Sequence, residues 1–328
     1  MPLLTCLGAH SGENVAMKLA TYKDGSRDGQ LVVVSRDLTQ AHYATHIANR
    51  MQQVLDDWNY LSPQLQDLYD ALNAGRARHA FGFDVTQCMA PLPRAYQWAH
   101  GSAYLSHIEL TRRARGAEVS PSVCTDPLLV QGGSDHFLGP CEPIVCANEA
   151  WGIDFEAEVA VMTADIPMGS SPERALDGVR LLMLANDVSL RNLVPQEMAP
   201  GFGFVHSKPA TAFSPVAVTP DELGAAWTKG RVHLSLHCTW NGRKVGLCDA
   251  GPDMTFHFGQ LLAQLAKTRN VRAGSIVGSG AVSNPGVTKG TGNKTRTDWP
   301  KGYSCIAEKR AMEMLQDGQP STPFMRYG

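Results

Sequence analysis

The stretch Gly152-Ile153-Asp154-Phe155-Glu156-Ala157-Glu158-Val159-Ala160-Val161 decides how the chain is read. It alternates with period two. Ile153, Phe155, Ala157 and Val159 point one way and Asp154, Glu156 and Glu158 the other, the pattern of a half-buried strand. Neighbouring carboxylates on one strand face stand about 7 Å apart and repel one another. Such a face is either open to water or carries a cation, and the strand alone leaves both readings open.

Four further segments bear on that choice. Leu181-Leu182-Met183-Leu184-Ala185-Asn186-Asp187 is an apolar strand that delivers a carboxylate at its end, a rigid mount for a metal ligand. The plainer alternative has Asp187 capping the next turn. Arg191, four residues on, would pair with Asp187 or grip an anionic substrate. In Gly201-Phe202-Gly203-Phe204-Val205-His206-Ser207-Lys208-Pro209, a flexible loop ends in a lysine fixed by a proline. That ammonium either stabilises an oxyanion or is an ordinary surface charge. Ser275–Asn284 carries Gly278 and Gly280 in a buried strand, which points to close approach of backbone to a ligand or another chain. It is no phosphate loop, because it lacks the G-x-x-x-x-G-K-[ST] pattern. His107, with Glu109 nearby, is either structural or catalytic.

The chain of 328 residues is long enough for a sizeable core, and 43% hydrophobic with 18% charged residues is globular. A net charge of −2 favours neither nucleic acid nor an anionic membrane. No run reaches 18 apolar residues, so no membrane span is expected. Residues 1–10 lack a basic n-region and an apolar run, so no secretory signal is expected. The eight cysteines form no C-x-x-C pair and read as free thiols of a reducing cytoplasm.

Residues 1–16 are expected to be a loosely held extension, with the fold beginning at Met17. Residues 17–35 read as a β-meander around Asp24-Gly25 and Asp28-Gly29. Residues 40–55 have helical spacing, and Ser62-Pro63 opens a second helix. The extended connector Cys88–Arg94 puts a domain boundary near residue 95, giving an N-terminal domain over 17–95 and a second over 96–328. A helix is expected over 102–115. Short strands follow at 127–130, 144–145, 153–162, 181–188, 231–240, 243–248 and 274–283, interrupted by helices at 171–177 and 256–268. This is a β-rich α+β protein rather than a doubly wound one.

Taken together, Asp154-Phe155-Glu156-Ala157-Glu158, Asn186-Asp187-Val188-Ser189-Leu190-Arg191-Asn192, Ser207-Lys208-Pro209 and Gly278-Ser279-Gly280-Ala281-Val282-Ser283 resemble the fumarylacetoacetate hydrolase family, from about Met17 to the C-terminus. The resemblance implies a small N-terminal β domain, a larger β-roll catalytic domain and a homodimer. It implies Mg²⁺ or Ca²⁺ held by Glu156, Glu158 and Asp187, and hydrolysis of a C–C bond in a 1,3-diketo acid in aromatic-compound breakdown. His107 would be the general base, with Arg191 and Lys208 as oxyanion stabilisers. All-oxygen ligands suit such hard cations. Alternatives on the same fold are a decarboxylase, isomerase or hydratase working through a metal enolate, or a non-catalytic binding protein.

The chain departs from the family pattern at four points. The remaining family ligand is an aspartate, and His100 stands there. Imidazole either shifts preference toward an ion such as Mn²⁺ or Zn²⁺ or weakens binding altogether. Ala281 replaces a substrate-binding threonine. The acid that partners the catalytic histidine is usually a late glutamate, and the nearest acid in that loop is Asp298. Beyond Phe324–Gly328 the family's terminal Gly-Asp strand is expected to be missing.

Overall fold

The computed structural model describes residues 15–201, 203–285 and 301–328. The described residues open with β1 (Lys18–Tyr22) and β2 (Gln30–Val34), an antiparallel pair in which Leu19 faces Val33, then β3 (Gln40–Tyr43). The expected helix over 40–55 therefore begins late. Ala41 and its neighbours pair with β2, and only α1 (Met51–Asp56) is helical. The edge of β2 offers residues 40–43 a hydrogen-bonding ladder, which outweighs their helical spacing. α2 (Trp58–Asn73) starts ahead of Ser62-Pro63 and carries Pro63 inside it. β4 (Phe81–Gly82) closes this first group against β3.

The second group begins with β5 (Trp98–Gly101), α3 (Leu105–Ala114) and β6 (Leu129–Gly132). Next come β7 (Ile153–Asp154), β8 (Ala157–Thr163), α4 (Pro172–Leu176), β9 (Val179–Asn186), β10 (Ser189–Leu190) and α5 (Val194–Met198). β11 (Ala212–Phe213), β12 (Ala217–Val218), β13 (Trp227–Thr228), β14 (Arg231–Val232), β15 (Ser235–Trp240) and β16 (Arg243–Asp249) follow. The chain ends with α6 (Phe258–Leu265), β17 (Ile276–Gly278) and α7 (Ile306–Asp317). Residues 144–145 form no strand, and the strand expected over 274–283 is confined to 276–278.

Eleven strands form one sheet in the order β4-β3-β2-β1-β12-β9-β8-β17-β5-β6, with β11 also on β9. The N-terminal strands join the others through β1 against β12. Pairing is antiparallel except where β17 runs parallel to β5. The centre of the sheet is buried on both faces. Val159 and Val161 of β8 pack with α6, while Ala160 and Met162 pack with α1 and α2. A strand covered on both sides cannot show the polar face expected of a half-buried one.

The acidic stretch is not one strand. Ile153–Asp154 pairs with β10 in a separate ribbon, and Ala157 onward pairs with β9 and β17. Between them Glu156 makes a single bridge to Cys305. Asp154, Glu156 and Glu158 are 0%, 5% and 0% exposed. The water-facing alternative is thereby excluded.

α7 has no counterpart in the sequence reading. Its buried residues include Glu308, Lys309 and Glu313, so no apolar stripe marks its inner face.

Candidate active site

The register of the central strands assembles the site. Gly278 of β17 lies opposite both His100 of β5 and Ala160 of β8, so Glu158 and His100 flank one bare backbone position. A Cβ on Gly278 would stand 2.3 Å from Glu158 Oε2 and 2.6 Å from the Trp98 ring. At Gly280, φ is 76° and a Cβ would strike the Gly101 carbonyl. The Gly280 N–H donates to Glu158 Oε2 at 3.0 Å. The close approach expected of this glycine pair is thus to a carboxylate and to a neighbouring strand.

Asp187, just past β9, accepts from Thr211 Oγ1 at 2.9 Å and from Lys208 Nζ at 2.6 Å. His100 Nε2 lies 3.3 Å from Asp187 Oδ2, and His100 Nδ1 lies 3.7 Å from Glu158 Oε1. The Nε2 contact lacks hydrogen-bond alignment, and Glu158 Oε1 also has no hydrogen-bond partner. The ring is fixed by stacking on Trp98, with centroids 5.8 Å apart. Ligand atoms of His100, Glu158 and Asp187 all lie within 4.8 Å of one another. Burial raises the Glu158 carboxyl well above the usual range, and the charges of Asp187 and Glu156 add to the push. Burial also lowers the His100 imidazole, against the pull of Asp187.

Glu156 is held quite differently. Its Oε2 accepts from Ser189 Oγ, Arg191 Nη2 and Lys208 Nζ, each at 3.1 Å. Burial alone would raise this carboxyl, but Lys208 and Arg191 hold it well below the usual range. Arg191 also bonds Asp154 through Nε at 2.9 Å. It pairs with Asp154 and Glu156, not with Asp187. Asp154 in turn accepts the N–H groups of Ile306 and Ala307 at 2.7 and 2.9 Å. It thereby ties the start of α7 to the acidic stretch, and it contributes to the site only through Arg191. Lys208 spends its three N–H groups on Glu156, Asp187 and Ser189. Its loop is gathered by Glu197 of α5, which accepts from the backbone of Val205, His206 and Ser207 and from Ser207 Oγ. Burial opposes the charge on Glu197, yet these donors bring its carboxyl down to about 2.

His107 stands on the first turn of α3, and its Nδ1 lies 3.3 Å from Glu308 Oε1 of α7, a close contact that, like that of His100 Nε2, lacks hydrogen-bond alignment. Glu308 also accepts from Ser283 Oγ at 2.5 Å. The sequence reading did not select Glu308; Asp298 lies outside the described residues. Cys305 is near the pair, but burial keeps its thiol protonated and inert. His100, His107, Glu156, Gly280 and Ala281 line one cavity of about 40 Å³, room for a few waters.

A sequence profile described as fumarylacetoacetase N-terminal domain 2 matches residues 17–94. A second, described as fumarylacetoacetate (FAA) hydrolase C-terminal, matches residues 97–319. The chain belongs to the fumarylacetoacetate hydrolase family. The family's arrangement of an N-terminal domain and a larger catalytic domain is the one the mixed sheet and its helices build. A curated relative, 2,4-didehydro-3-deoxy-L-rhamnonate hydrolase of a Sphingomonas strain, is 26% identical over 186 residues, 56% of this chain and 61% of the relative. The match therefore spans under two thirds of that relative's length. Fumarylacetoacetate hydrolase from Exiguobacterium antarcticum shares the fold with a TM-score of 0.60 at 19% identity, over 81% of this chain and 86% of that one. Maleylpyruvate hydrolase from Sphingobium sp. SYK-6, solved with a manganese(II) ion and pyruvate, does so with a TM-score of 0.58 at 16% identity, over 81% and 89%. Among the described residues no helix is long and apolar enough to cross a membrane.

Proposed function

We propose that this chain is a cytoplasmic, homodimeric, metal-dependent hydrolase that cleaves a C–C bond in 1,3-diketo acids of the fumarylacetoacetate or acylpyruvate type in aromatic-compound breakdown. One observation carries the reading. His107, beside the buried Glu308, and His100, whose Nε2 has no hydrogen bond, line the same small cavity, and His100 brings a ring nitrogen within ligand distance of the Glu158 and Asp187 carboxylates.

The residues present fit a divalent cation. Glu158 Oε1 and His100 Nε2 are buried polar atoms without hydrogen bonds, and Asp187 Oδ2 lies beside the imidazole. Glu158, Asp187 and His100 would hold the ion, with Glu156 next to it. Bound there, it supplies Lewis-acid polarisation of the diketo oxygens.

The protein's own groups do the rest. His107 presents Nδ1 to Glu308, which leaves Nε2 to take the proton of the attacking water. The Glu308 carboxylate beside the ring stabilises the imidazolium. Lys208 and Arg191 both pair with Glu156, which itself lines the cavity of His107. Burial works against both charges, but Asp187 and Glu156 hold the proton on Lys208, and Glu156 and Asp154 hold it on Arg191, so both stay ionised. Lys208 stabilises the oxyanion by exchanging one of its three acceptors for it. Ala281, where the family has a substrate-binding threonine, leaves this chain without that hydroxyl.

Incubation with acetylpyruvate and fumarylacetoacetate in the presence of each candidate ion tests the proposal. Loss of enol absorbance with two acids as products is expected. A single isomeric product would move the assignment to an isomerase, and no turnover with any ion would overturn it.

A further inference from the structure

If the chain is metal-dependent as proposed, the donor set at the metal-ligating cluster bears on which ion it takes. Glu156 Oε2 is already filled by three donors, from Ser189, Arg191 and Lys208. The atoms that remain close to one another are Glu158 Oε1, Asp187 Oδ2, which also accepts from Lys208 Nζ, and the His100 ring nitrogens, Nε2 on the side of Asp187 and Nδ1 on that of Glu158. Two of these are without hydrogen bonds and lie on side chains almost wholly withdrawn from water. The imidazole is not adaptable. It sits on a central strand, stacks on Trp98 and faces Gly278, so it cannot turn away to leave an all-oxygen shell.

Charge points the same way. With every carboxyl counted as ionised, four buried carboxylates, Asp154, Glu156, Glu158 and Asp187, face two partly buried cations, Arg191 and Lys208. The shortfall equals one dication, and an imidazole supplies a donor without adding another negative charge. Ca²⁺ asks for about six to eight oxygens and Mg²⁺ for a near-ideal octahedron of them. A compact set of two carboxylate oxygens and a fixed nitrogen serves neither well, whereas imidazole nitrogen suits first-row transition metals.

We infer that His100 Nε2 is a direct ligand and that the site takes a transition-metal dication of the Mn²⁺, Co²⁺ or Zn²⁺ class in preference to Mg²⁺ and Ca²⁺. The position of His100 thus sets the ion preference of the whole site.

Calorimetric titration of the chelator-stripped full chain with Mg²⁺, Ca²⁺, Mn²⁺, Co²⁺ and Zn²⁺ tests this, alongside pulsed EPR of the Mn²⁺-loaded wild type. Any carboxylate site favours later transition metals to some extent, so His100→Asp is the decisive comparison. The Co²⁺-to-Mg²⁺ affinity ratio is expected to fall by about ten- to a hundredfold in that variant, the range typical of changes around a metal ligand. The EPR spectrum of the wild type is expected to show coupling to an imidazole nitrogen, a readout independent of whether the variant folds. Absence of that coupling, or Mg²⁺ binding as tight as Co²⁺ in the wild type, overturns the inference and leaves the metal-dependent reading standing. Failure of every ion to bind at millimolar concentration overturns that reading and the inference with it.

Discussion

Asp154 and Glu158 lie on either side of Glu156 in one short stretch, and burial pushes both carboxyls up. They are held in opposite ways. Asp154 accepts two backbone N–H groups and the Arg191 guanidinium, and so joins the acidic stretch to the start of α7. Glu158 accepts the single N–H of Gly280 on one oxygen, and its other oxygen has no hydrogen bond. Asp154 is a structural staple whose partners are all protein. Glu158 keeps bonding capacity in reserve beside a second carboxylate and an imidazole, which native interiors avoid unless a ligand uses it.

The contrast breaks most easily at the staple. Asp154→Ala removes the bonds to α7 and leaves Arg191 half-compensated in the interior. It should cost about 3–5 kcal/mol, the usual price of breaking a buried pair, and urea unfolding measures it. Glu158→Gln in the same experiment should leave the metal-free protein as stable as wild type or more so. Turnover of a diketo acid by that variant should nonetheless fall by more than about a hundredfold. Equal destabilisation by both substitutions would erase the distinction drawn between them.

The base tests the other wall of the cavity. His107→Ala should lower kcat by about 10²- to 10⁴-fold in steady-state assays. Glu308→Gln should lower kcat less and leave KM nearly unchanged, because it acts through the histidine.

The smallest effect is expected at Glu197, which gathers the Lys208 loop. Its carboxyl lies at about 2 in the folded chain against an ordinary 4.5. The depressed value means that its stabilisation is complete above about 4.5 and is lost as pH falls toward about 2. Acid titration followed by circular dichroism should show a shallower loss across that window in Glu197→Gln than in wild type.

The architecture and the acidic cluster were legible because they are carried by local patterns. β8, β9 and the turn after Asn186 sit where period-two runs and a terminal Asn-Asp placed them. What failed was pattern reading where tertiary context reverses the local sign. Residues 40–43 have helical spacing but complete a sheet edge. α7 was invisible because Glu308, Lys309 and Glu313 occupy its buried face, each stabilised by a contact remote in sequence or outside the helix. Glu308 shares that cause, since its meeting with His107 spans most of the catalytic domain. Glu197 gave no signal either, because an acid that collects loop N–H groups looks like any surface glutamate. The apparent single strand over 153–162 concealed a break at Glu156, and only the pairing of β7 with β10 shows it.

Metal content after dialysis separates the two carboxylates outright. Wild type, Glu158→Gln and Asp154→Asn would each be equilibrated with Mn²⁺, dialysed and measured by mass spectrometry of the metal. About one ion per wild-type chain is expected, with loss of the ion in Glu158→Gln and its retention in folded Asp154→Asn. An ion retained in Glu158→Gln, or none bound by wild type, would contradict that expectation.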